Sequence, residues 1–213
     1  MYIPKFNNID DTRTLIEHIR KHPFGSWSCL AEGEIVVNHI PFILHEGRGE
    51  SGTLTGHVSR ANPIWKTCSG EQESVVIFHG EDAYISPSWY PSKHQEGKAV
   101  PTWNYTVVQA RGTPSFKESP KWILDHVNEL TDQQEGRQAL PWKVDDAPKE
   151  YIDRLINGII GIEIPIRTMI GKWKIGQNRS HADQFGMVAG LSSRDDGKSQ
   201  ALGKLTKRFF QDE

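Results

Sequence analysis

"SWSCLAEGEIVVNHIPFILHEGRGESGTLTGHVS", residues 26–59, decides the fold class. The apolar runs "SWSCL", "IVVNHIPFIL" and "TLTGHVS" are split by "AEGE" and by the Gly-rich "EGRGESG". Short apolar segments punctuated by such turns are the hairpin signature of an antiparallel meander. Downstream, "SVVIFHG" and "AYISP" predict two more strands joined by a tight "HGED" turn. "NYTVVQARG" predicts another, with Tyr105, Val107 and Gln109 on one face and Val108 on the other. That makes about six strands before residue 115, enough to close a small barrel.

Helices flank this stretch. Asp10 or Asp11 can cap a first helix carrying Leu15, Ile16 and Ile19, which Pro23 stops. Asn62 and Pro63 form a cap and first-turn pair for a short helix in "RANPIWK". Ser119–Pro120 and Pro148 open two more helices, separated by the polar "DQQEGRQALPWKVDD". "IIGIEIPIRTMIGKWK" alternates and is β-branched, so a strand is expected to return to the sheet near 159–174. From Ser180 the tail reads as one or two amphipathic helices ending in "KLTKRFF". The expected organisation is a single domain over 1–213, with a barrel core over 1–115 and helical additions over 116–213. The class is α+β, β-rich: a six-stranded antiparallel barrel with peripheral helices.

Composition agrees with that class and removes others. Hydrophobic residues are 36% and charged residues 24%, with 19 Gly and 12 Pro, which favours a turn-rich β fold over a helical bundle. A net charge of −2 gives no bulk attraction to nucleic acid, so any such contact needs a local patch. Cys29 and Cys68 lie far apart with no C-x-x-C, so no zinc site is expected and two buried thiols in a reducing compartment suit the pattern. The start "MYIPKFNNID" is too polar for a signal peptide and no run could span a membrane, so a soluble, cytoplasmic protein is expected. No G-x-S-x-G, P-loop or H-E-x-x-H motif occurs, so hydrolase, NTPase and zinc-protease readings lack support, and the Gly-rich "GRGESG" at 47–52 reads as a turn between two strands, which leaves a dinucleotide fold unsupported too.

Three constellations could carry chemistry. "GHVSRANPIWK" gathers His57, Ser59, Arg60, Asn62 and Lys66 where a strand ends and a helix begins, which suits a phosphate; a plain solvated turn fits the pattern too. "YISPSWYPSK", 84–93, and "VPTWNY", 100–105, set Trp89, Tyr90, Trp103 and Tyr105 beside Ser88, Lys93 and Asn104. Pro87 and Pro91 keep that first segment out of a central strand. Its rings either plug a barrel end or an interface, or flank a planar ligand with an anionic tail. "GKWKIGQNR", 171–179, clusters Lys172, Lys174 and Arg179 around Trp173, as a nucleic-acid contact or a solvated basic surface would. His39, His57 and His79 fall in predicted strands, where structural histidines are the commoner kind.

Taken in order, "MYIPKF", "NHIPFIL", "GHVSRANPIWK", "VVIFHGEDAYISPSWYPSK", "VPTWNYTVV" and "GIEIPI...GKWKIGQNR...GMVAGL" resemble the PaiB family from Met1 to about Leu191. Many members carry a His near "MYIPK"; here Phe6 follows Lys5, and no role for that His carries over. The family is described as negative transcriptional regulators of protease synthesis and sporulation, and as FMN-binding split-barrel proteins. The resemblance implies a homodimer with FMN at the subunit interface. It implies that Ser59, Arg60 and Lys66 face the flavin phosphate, with Ser88 and Lys93 closing from the aromatic loop, and that His57 and Asn62 belong to the same cofactor site. Trp89, Trp103 and Tyr105 would border the isoalloxazine, and Asn104 would bond its polar edge.

Two function classes follow. One is a regulator without enzymatic activity, whose DNA contact would rest on Lys172, Lys174 and Arg179. The other is a flavin-dependent oxidoreductase or a haem-binding or haem-degrading split-barrel enzyme, in which His39, His57 or His79 would ligate haem. No metal site and no catalytic residue is predicted.

Overall fold

The computed structural model describes residues 1–68 and 70–211, with residues 94–96 described by backbone only. In chain order the elements are β1 (Asn8–Ile9), α1 (Thr12–Lys21), β2 (Phe24–Ala31), β3 (Glu34–Pro41), β4 (Ile43–His45), β5 (Thr53–Ser59), α2 (Ile64–Thr67) and β6 (Ser74–Ile85). They continue with α3 (Pro91–Glu96), β7 (Thr102–Gly112), β8 (Ser115–Lys117), α4 (Pro120–Glu135), α5 (Lys149–Asn157), β9 (Ile159–Lys174), α6 (His181–Ser192) and α7 (Gly197–Gln211).

Six of the nine described strands are long; β1, β4 and β8 have only two or three residues. The strand count therefore exceeds the expected six by three short edge pieces, while the antiparallel, β-rich class holds. The sheet runs β3-β2-β6-β7-β9-β5-β4, with β1 and β8 also on β9. One sequence expectation fails: "HGED" is no turn, because β6 runs unbroken for 12 residues. Its buried positions pass from Ser74, Val76 and Phe78 to Ala83 and Ile85, so the alternation changes phase across Gly80–Asp82. An extra residue accommodated within a strand has this effect, and it mimics a turn in the sequence.

The chain divides into two compact units that interleave in sequence. The meander unit comprises Ile16–Phe78 and Gln109–Met169; the aromatic unit comprises Met1–Leu15, His79–Val108 and Ile170–Glu213. In the meander unit, β2 and β3 pair from Phe24↔Pro41 to Ala31↔Glu34, and β5 and β9 from Thr53↔Pro165 to Ser59↔Ile159. Its core holds Trp27, Phe42, Leu54, Phe78, Ile160, Ile162 and Ile164. Cys29 and Cys68 are buried there as thiols that share no disulfide, and burial pushes Cys29 up to about 12. In the aromatic unit, β1 pairs with β9 at Asn8↔Lys172, and Ile85, Tyr90, Trp173, Ile175, Met187, Leu191 and Leu202 are buried.

Local chemistry sets the helix starts. Asp11 Oδ2 accepts from the Thr14 N–H at 2.9 Å, Ser119 Oγ from Trp122 N–H at 3.4 Å and Ser180 Oγ from Asp183 N–H at 3.3 Å. Among the described residues no helix is long and apolar enough to cross a membrane.

Candidate functional site

In the meander unit, β5 ends at Ser59 opposite Ile159, so the Arg60–Pro63 turn lies beside the end of α5. The Arg60 N–H donates to Gly158 O at 2.8 Å, and its Nε to Asn157 O at 2.8 Å. Nη1 donates to Glu118 at 2.9 Å. Trp65 Nε1 closes the turn on Arg60 O at 3.1 Å, and its ring is approached by Arg60 (5.7 Å) and by Lys66 Nζ (4.8 Å). Ser59 Oγ accepts from Ala61 N–H at 3.3 Å. Asn62 Oδ1 accepts from Ile64 N–H at 3.1 Å, while Asn62 Nδ2 donates to Asn38 Oδ1 at 2.7 Å.

That last bond has a consequence. Asn38 Nδ2, on β3, is buried with no partner, and a buried donor left unpaired costs about 1–3 kcal/mol unless something accepts from it. An orphan amide donor, the Ser59 hydroxyl and two cations held on Trp65 are a donor set for an oxyanion. The helix contribution expected from sequence is slight, because α2 spans only four residues.

His57 belongs elsewhere. Its Nδ1 lies 3.2 Å from Nε2 of His126 on α4, and Trp122 stacks on His126 at 5.4 Å and 19°. Burial lowers both imidazoles; His126, 3% exposed, reaches about 3, helped by the charges of His57 and His45. Both are neutral near pH 7, one donating and one accepting. His57 is thus spent under α4, not aimed at the turn.

In the aromatic unit, the 84–93 loop folds onto α6. Ser92 donates from its N–H and hydroxyl to Asp183 at 3.0 and 2.7 Å. A Cβ on Gly190 would sit 2.2 Å from the Trp89 ring, and one on Gly186 2.0 Å from the Trp89 carbonyl oxygen, so glycines make the seat for this residue. Tyr90 is buried with Arg179 4.6 Å over its ring. Ser88 is exposed, its Oγ 2.7 Å from Ser86 Oγ, and Lys93 is exposed.

Strand alternation in β7 separates the remaining residues. Asn104 points inward, buried, and donates to Met187 Sδ at 3.1 Å. Trp103 and Tyr105 take the opposite face. Trp103 is 56% exposed and meets Tyr84 edge-on at 6.3 Å. Lys174 Nζ donates to Thr102 Oγ1 (2.5 Å) and Trp103 O (2.6 Å), while Lys172 lies 5.3 Å over Tyr105 and donates to Tyr2 O at 3.2 Å. Burial lowers the Lys174 pKa, with Lys172 and Arg179 adding to it.

The expected site residues thus fall into distinct groups. Ser59, Arg60, Asn62 and Lys66 are gathered with Asn38 and Trp65. Trp103 and Tyr105 are gathered with Tyr84, Lys172 and Lys174. Ser88, Trp89 and Lys93 lie on the α6 loop, Asn104 is inside, and His57 pairs with His126. The three cations read as a nucleic-acid contact each engage an aromatic ring or backbone oxygen of their own unit. Among the haem-ligand candidates, His39 Nδ1 lies 3.0 Å from Ser26 Oγ and His79 is exposed. Among the described residues no group of three His, Cys, Asp or Glu could hold a metal. Sequence reading missed Asn38, whose role depends on a partner 24 residues away.

Comparison with known proteins follows the same lines. A family model described as "Putative FMN-binding domain" matches residues 1–168. The protease synthase and sporulation protein PAI 2 of Bacillus subtilis is 25% identical over 205 residues, covering 96% of each chain. An uncharacterized protein of Emericella nidulans is 31% identical over 242 residues, covering 97% of this chain and 96% of its own. The FAD and heme binding protein from Mycobacterium smegmatis superposes with a TM-score of 0.57 at 16% identity, covering 86% of this chain and 80% of that one, a likeness of fold.

Proposed function

We propose, from the premise that the chain belongs to the family of FMN-binding domains matched by its residues 1–168 and bears the PaiB resemblance, that it binds flavin mononucleotide. The orphan amide of Asn38 beside the Ser59–Lys66 turn carries this reading, because it needs an acceptor and a flavin phosphate brings several. Ser59, Arg60 and Lys66 bind the phosphate, with Asn62 holding Asn38 in place. In the aromatic unit, taken by itself, the exposed Trp103–Tyr84 face with Lys172 and Lys174 at its edge offers chemistry for a flat, electron-poor ring. A bound flavin supplies one- or two-electron redox chemistry; the residues of this chain bind and orient it.

FMN titrated into the purified protein is expected to shift and sharpen the flavin absorbance bands at saturation. FMN should bind at least about tenfold more tightly than riboflavin, and Arg60→Ala or Lys66→Ala should erase most of that preference. Equal affinity for FMN and riboflavin would overturn the phosphate assignment, and a Soret band in the purified protein would move the reading to haem.

The partner is a second copy. β2 and β3 expose Leu30, Ile35 (76%) and Val37 (50%) together on one sheet face, with Phe24 at the other end of β2, and a second copy would cover this apolar surface. Val37→Glu is expected to convert a dimer to a monomer in light scattering. The finer role, negative transcriptional regulation, draws on the likeness to the Bacillus subtilis protein. If Lys172, Lys174 and Arg179 touch DNA, charge reversal at Lys172 should abolish a salt-sensitive gel shift; an unchanged shift removes that contact.

A further inference from the structure

The C-terminal helices carry a groove apart from the Ser59–Lys66 turn. Helix α6 has two apolar stripes: Met187, Gly190 and Leu191 are buried, while Phe185, Val188 and Ala189 lie on the outward side. Phe185 is 75% exposed, an unusual cost for an aromatic ring on a helix already packed by its other face. Those outward residues and Phe210 from the last turn of α7 line a groove of about 360 Å³, within the size range of small-molecule sites. It lies beyond residues 1–168, and all its residues come from α6 and α7.

Two of the polar side chains on its walls are already engaged. Ser192 Oγ donates to Val188 O at 2.8 Å, and Gln184 Nε2 donates to Gly176 O at 3.3 Å. Among the described residues that line the groove, Lys207 is a cation and none is a carboxylate. An apolar wall with a cation at its rim matches a molecule with an apolar body and an anionic head.

The geometry points to this groove as a binding site for a small apolar carboxylate, an alkyl or aryl acid whose body lies on Phe185, Val188, Ala189 and Phe210 and whose head meets Lys207. The proposal does not depend on flavin binding.

Decanoate is the probe, titrated into the full-length protein and followed by amide chemical shifts, with decanol as the neutral control. Saturable shifts confined to α6 and α7 are expected, with decanoate binding three- to tenfold more tightly than decanol. Phe185→Asp should weaken decanoate at least tenfold, and Lys207→Glu should remove its advantage over decanol. Because Phe185 is exposed, the first variant should unfold like the parent, which a melting curve checks. Shifts centred on the β2–β3 face, no saturation, or affinity unchanged by Phe185→Asp would overturn the site. Decanol binding as well as decanoate would overturn the anionic ligand. Flavin absorbance in the same variants reports separately on the other proposal.

Discussion

Trp89 and Trp103 come from one aromatic stretch of sequence and end in opposite situations. Trp89 is laid against Gly186 and Gly190 of α6, with no room for even a methyl group between them. Trp103, on β7, keeps more than half of its surface open beside Tyr84. Neighbouring prolines, serines and lysines do not separate the two. What separates them is the residue that arrives opposite, about a hundred positions later in the chain for Trp89. A ring becomes structural where glycines form its seat, and is left available where nothing covers it.

The hardest test of that contrast is Gly190→Ala. In a helix interior this substitution ordinarily stabilises by about 1 kcal/mol. Here the added Cβ meets the Trp89 ring at 2.2 Å, so we expect a net loss of about 2 kcal/mol in urea unfolding. In a Trp89→Ala background the same change should be neutral or stabilising, since the clash is gone. Stabilisation in the parent would show that Trp89 does not rest there.

The same logic marks what could be read in advance. The meander over 26–59 and β9 were legible, because alternation and Gly-rich turns are local signals. The helix starts at Asp10 or Asp11 and at Ser119–Pro120 were legible for the same reason, whereas the cap at Ser180 was read only as the beginning of a helical tail. The continuity of β6 was not, since Gly80 and two acids look like a turn although they stand inside a strand. In the candidate site, the Ser59–Lys66 turn was legible from its own residues. The orphan Asn38 amide, the glycine seat of Trp89 and the inward aim of Asn104 depend on partners 24 to about 100 residues away. Nothing within the local window encodes them.

The meander unit repeats the glycine-seated ring with a titratable neighbour. A Cβ on Gly161 would meet the Trp122 ring at 2.1 Å, so the strand lets that ring lie close, where it stacks on His126. His126 is held near 3 in the folded protein against about 6.5 unfolded. A depressed folded value means the stability is fully present above pH 6.5 and lost as pH falls toward the folded value. Each proton taken up on unfolding contributes a slope of about 1.4 kcal/mol per pH unit. We therefore expect stability to fall by about 1–2 kcal/mol between pH 6.5 and 5, and His126→Gln to flatten that dependence. A flat profile in the parent would mean that water reaches the pair.

The smallest stability effect belongs to Trp103. If its exposed ring carries no packing, Trp103→Ala should change unfolding free energy by no more than about 0.5 kcal/mol, as surface substitutions do. Its backbone carbonyl, which accepts from Lys174, is kept by the variant. If the ring instead serves a ligand, the same variant should weaken FMN binding about tenfold. Trp89→Ala should do the reverse, costing stability first and affinity only through it. Finding both losses at Trp89 and neither at Trp103 would exchange their roles, and would mean that exposure on β7 marks a surface covered by something other than flavin.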